Sequence, residues 1–81
     1  MDAERVRARG EYEELKLQAE QLRMAAEEAR SALAEAIGVY NSPEAIVLAR
    51  VTYLSAQLVN AGAKLKDAIA RMERIRARYG F

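Results

Sequence analysis

Residues 45–63, AIVLARVTYLSAQLVNAGA, decide the fold of this chain. Nineteen residues carry one charge, Arg50, and at helical spacing their apolar positions fall on two opposite faces. A single partner helix covers one such face. The chain offers only one other long helical pattern, so the second face predicts contact with another copy of the chain or with another helical protein.

Just before this stretch, Ser42-Pro43-Glu44 has the composition of a helix start. A Ser at the cap accepts from open amides, Pro fits the first helical position, and Glu complements the positive helix end. The pattern then continues to Tyr79, which predicts a second helix over about 43–79. Val47, Val51, Leu54, Leu58, Ala61, Leu65, Ala68, Met72 and Ile75 form its first seam, joined by Leu48 and Ile69. A second series, Ile46, Ala49, Tyr53, Ala56, Asn60 and Ala63, repeats the spacing on the far side and turns polar beyond Asn60. Ala49, Ala56, Ala63, Ala70 and Ala77 recur at seven-residue intervals, and such small side chains let another helix approach to about 8 Å between axes. The expected assembly face is therefore Ile46, Ala49, Tyr53, Ala56, Val59 and Ala63.

Toward the other end, Ala3 to Ile37 is almost entirely strong helix formers, with no Pro and with Gly10 as the one interior break. This predicts a first helix over about 3–37, with fraying before Gly10. Tyr12, Leu15, Ala19, Leu22, Ala26, Ala29, Leu33 and Ala36 step by four and three along one face, a heptad, coiled-coil-like seam rich in alanine. Glu13 to Lys16, Glu20 to Arg23 and Glu27 to Arg30 are spaced to pair on the surface. Gly38 is placed to end the helix in the left-handed region, which leaves residues 38–42 as the turn. A turn that short makes the helices antiparallel, with facing positions whose numbers add to about eighty.

The expected fold is all-α: one domain over 1–81, a long antiparallel two-helix hairpin that self-associates, most simply as a homodimeric four-helix bundle. Small size supports the same expectation. A chain of 81 residues without Cys has no disulfide or thiolate metal site to supplement a modest core, and association remains. The polar start Met1-Asp2-Ala3-Glu4-Arg5 is unlike a signal peptide, and Arg50, Gln57 and Asn60 interrupt the apolar run, so neither export nor a membrane partner is expected. The lack of Cys fits a reducing, cytoplasmic setting.

No His is present, so Ser31, Ser42, Ser55 and Thr52 lack the usual general base, and no enzyme activity is expected. Gly10, Gly38, Gly62 and Gly80 are dispersed and form no phosphate loop; no cofactor or metal is expected either. Net charge is +1, but it is unevenly distributed: residues 1–37 hold nine acids and six bases, and residues 64–78 hold six bases and two acids. Antiparallel packing gathers Arg5, Arg7, Arg9, Arg71, Arg74, Arg76 and Arg78 at the open end, beside Tyr79 and Phe81. That cluster is the candidate anion or nucleic-acid patch, with Asp2, Glu4, Glu11 and Glu73 nearby to offset it.

Ala29-Arg30 through Leu33, followed by Ser42-Pro43-Glu44-Ala45-Ile46-Val47-Leu48, resembles the hairpin of the small sporulation-type aspartyl-phosphate phosphatases of bacteria. The resemblance implies a two-helix regulator that docks on phosphorylated response regulators. That family continues with Ser-Gln-x-Leu-Asp, where this chain has Ala49, Arg50, Val51, Thr52 and Tyr53. With both the serine and the acid replaced, the resemblance implies docking without hydrolysis. Type III secretion needle subunits and their helical co-chaperones are similar in size and in their Pro-containing turn.

Overall fold

The computed structural model describes residues 2–38 and 42–81. Helix α1 spans Ala3–Ile37, a 3₁₀ turn spans Pro43–Ala45, and helix α2 spans Leu48–Tyr79. The two helices pack along each other as an all-α hairpin, and no strand occurs among the described residues. It is a rod. Its Cα extents are 64 × 15 × 14 Å, a cross-section with room for two helices and no third layer.

Helix α1 runs unbroken through Gly10, without the fraying expected before it. Asp2 caps it: the Glu4 amide donates to Asp2 Oδ1 at 2.9 Å, satisfying one of the open donors of the first turn. At the other end Gly38 has φ 1° and ψ 137°, outside the expected left-handed region, and its amide donates to the Ala34 carbonyl at 2.8 Å. The left-handed glycine is Gly80, with φ 71°, after α2. The expected turn residues Val39, Tyr40 and Asn41 lie outside the described residues.

The start of α2 differs from the expected Pro43. Ser42-Pro43-Glu44 makes a 3₁₀ turn, in which the Ala45 amide donates to the Ser42 carbonyl at 2.9 Å and the Ser42 side chain caps nothing. Ile46 and Val47 are then extended, at φ −76°, ψ 121° and φ −89°, ψ 103°. Two adjacent β-branched residues favour that conformation, and they outweigh the helix-start signal before them. The connection thus runs from 38 to 47, while the register stays close to the expected sum of about eighty. Glu4 faces Arg78 and Glu11 faces Arg71, pairs whose numbers add to 82.

The core follows the two expected seams. Leu15, Ala19, Ala29, Leu54 and Ala68 are buried, with Ala8 added near the open end, and the remaining seam members of α1 are half-buried. Val47 and Leu48 depart from expectation, at 60% and 76% exposed: Val47 lies in the extended segment, and Leu48, the first residue of α2, lies about 120° around the helix from Leu54. Four alanines and two leucines make a thin core, and no large side chain is fully enclosed. Burying a leucine stabilises by about 1.5–3 kcal/mol, an alanine by far less.

Candidate assembly surface

At 100° per residue, Ala56 lies about 160° around α2 from the buried Leu54, so the outer face points away from α1. Ala49, Tyr53, Ala56, Val59 and Ala63 are all exposed there, Tyr53 at 62% and Val59 at 68%. Ile46, assigned to the same face, is half-buried in the extended segment ahead of the helix. Leu48 and Val59 lie on the same flank, about 16 Å apart along the helix. On the other, the Gln57 side-chain amide donates to the Tyr53 hydroxyl at 2.8 Å, which holds the ring along the helix surface. Leu17 and Met24, on the back of α1, are exposed as well.

The open end gathers the seven arginines as expected, but most have partners. Arg71 reaches Glu11 at 3.4 Å, Arg78 reaches Glu4 at 3.8 Å, and Arg9 reaches Glu13 at 3.3 Å. Arg5 donates to the Tyr79 carbonyl at 2.7 Å, satisfying one of the open acceptors at the end of α2. Among the described residues no carboxylate lies within ion-pair distance of Arg7, Arg74 or Arg76. All the ion pairs are largely exposed, where each contributes about 0–1 kcal/mol. On α1, Glu27 and Arg30 pair at 2.8 Å, whereas Glu13 turns to Arg9 instead of Lys16.

Phe81 organises this end. The left-handed Gly80 turns the chain back so that the Phe81 ring stacks on Tyr79 at 5.8 Å and meets Tyr12 edge-on at 5.7 Å. The guanidinium groups of Arg5 and Arg9 sit 5.3 and 5.1 Å from the same ring. Arg78 lies over Tyr79 at 5.4 Å. Three of the seven arginines, Arg5, Arg9 and Arg78, thus belong to an aromatic and cationic clasp between α1 and the end of α2.

A groove between the helices was not foreseen. Its deepest part, about 530 Å³, is floored by Leu15, Leu22 and Ala68 and rimmed by Gln18, Gln21 and Lys64. It exists because alanines sit where larger residues would fill the space. The amide side chains among its lining, Gln18 and Gln21 with Gln57 and Asn60 further along, were the sequence signal available for it. Among the described residues no group of three or more carboxylates is placed to hold a metal ion. No described helix is long and apolar enough to cross a membrane. No family model, curated protein or solved structure matches the chain.

Proposed function

We propose that this chain is a non-catalytic assembly module, which pairs with a second copy, or with another helical protein, through the outer face of α2. One observation carries the reading: the accessible surface is 6288 Å². A compact monomer of 9.0 kDa exposes about 4,850 Å², so the rod leaves about 1,400 Å² that ordinary packing would cover. Part of that surface is the aligned row Ala49, Tyr53, Ala56, Val59 and Ala63, with Leu48 beside it. Scattered apolar residues on a surface are ordinary, but an aligned row marks a contact.

The thin core supports the same reading. Two leucines and four alanines give a hairpin of this length little to offset the entropy of ordering it, and an added interface supplies the missing burial. The test is the mass in solution. Sedimentation equilibrium of the unaltered chain is expected to give a dimer, and the double variant Tyr53→Glu, Ala56→Glu is expected to be monomeric with clearly reduced helicity by circular dichroism. A stable helical monomer for the unaltered chain would end pairing with a second copy and leave only a different helical protein as partner.

A further inference from the structure

The large exposed apolar side chains of α2, Leu48, Tyr53 and Val59, all lie in the half of the helix next to the turn. Ala49, Ala56 and Ala63 line the outer face there, and past Ala63 the same side presents the exposed Lys66, Asp67 and Arg74, with only the small Ala70 and Ala77 among them. Two copies can join such helices in two ways. If they run parallel, the charged halves lie against each other, and Lys66 and Arg74 meet their own kind with loss of water. If they run antiparallel about Ala56, only the apolar halves overlap, and both charged halves stay in solvent at opposite ends.

Resting on the assembly reading above, we infer that the partner is a second copy of this chain, joined antiparallel along α2 with Ala56 at the two-fold axis. Ala56 then faces Ala56, and Ala49 faces Ala63 of the second copy. The charge distribution selects this arrangement: bases outnumber acids six to two over residues 64–78, while Arg50 is the one charge between 45 and 63. The opposite placement of the outer face relative to the seam sets the four helices in a row, α1–α2–α2–α1, rather than in a square bundle. It also carries the two arginine-rich ends as far apart as the contact allows.

The absence of native Cys makes the arrangement directly readable by single substitutions at exposed alanines. A disulfide needs Cα atoms within about 7 Å. In the antiparallel pair, Ala49 of one copy lies about 21 Å from Ala49 of the other, while Ala49 and Ala63 are neighbours. Under mild oxidation, Ala56→Cys is expected to cross-link with itself, and Ala49→Cys and Ala63→Cys only when the two variants are mixed. Circular dichroism and sedimentation of each reduced variant verify fold and mass. Self-linking of Ala49→Cys alone would overturn the antiparallel arrangement and leave the assembly reading standing. A reduced dimer with no cross-link at any of the three positions would overturn this face as the contact. Monomeric mass for the unaltered chain would overturn the second copy as partner.

Discussion

Val47 begins α2 without a side chain able to hold the first open amides, though its backbone is already extended as a cap residue requires. Its carbonyl accepts from the Arg50 and Val51 amides, both at 3.1 Å, and its side chain is 60% exposed. Val47→Asp supplies the missing acceptor at small cost in buried area. It is expected to stabilise the chain by about 0.5–2 kcal/mol, read as a higher urea midpoint with unchanged mass. Position 47 also shows where reading the sequence stopped. Ser42-Pro43-Glu44 fits an α-helix and a 3₁₀ turn equally well, and the decision fell to the Ile46–Val47 pair, whose preference for extended backbone has no periodic signature. Phe81 was legible as a neighbour of the arginines, but not as the ring they close upon. That depends on Gly80 turning the chain at φ 71°, a local event with no spacing to reveal it.

At the scale of the helices, periodicity was a dependable guide wherever it extended over several turns. Leu15, Ala19 and Ala29 of the α1 seam and Leu54 and Ala68 of the α2 seam are the buried residues, because a four-three spacing leaves one stripe facing inward. Leu15 and Leu17 test the distinction between inside and outside on one helix. Leu15 is 4% exposed and sits in the groove floor, whereas Leu17 is exposed on the back. Leu15→Ala is expected to cost about 2–5 kcal/mol by thermal or urea unfolding, against less than about 0.5 kcal/mol for Leu17→Ala. A large effect at Leu17 would instead place a partner on the back of α1. The register agrees with the expected sum of about eighty, since Glu11 meets Arg71 and Glu4 meets Arg78, pairs that add to 82.

For the molecule as a whole, length and composition foretold a hairpin with too little interior, and the rod of 64 Å is that hairpin. Whether its exposed side is matched by a second copy is a question of shape in solution. With Ala56 at the two-fold axis, each rod of 64 Å reaches about 37 Å from the axis to its open end, so the pair is about 75 Å long. Small-angle scattering is expected to show that maximum dimension; a value near the length of one rod with twice the mass would require side-by-side overlap along the full helices. The outer face was legible in the sequence as a second apolar row, and its exposure in the structure follows from the cross-section of 15 × 14 Å, which leaves it nothing to rest on within the chain.

The alanine interior has one more consequence. Ala19, Ala26, Ala29 and Ala36 on one seam and Ala61 and Ala68 on the other leave shallow notches over much of the contact, which resist sliding less than large interlocking side chains would. What stops the slip is therefore fastened at the extremities: the extended Ile46–Val47 hinge at one end, and Phe81 held among Tyr12, Arg5 and Arg9 at the other. Alignment in this molecule works like a zip with shallow teeth, kept true by its two stops.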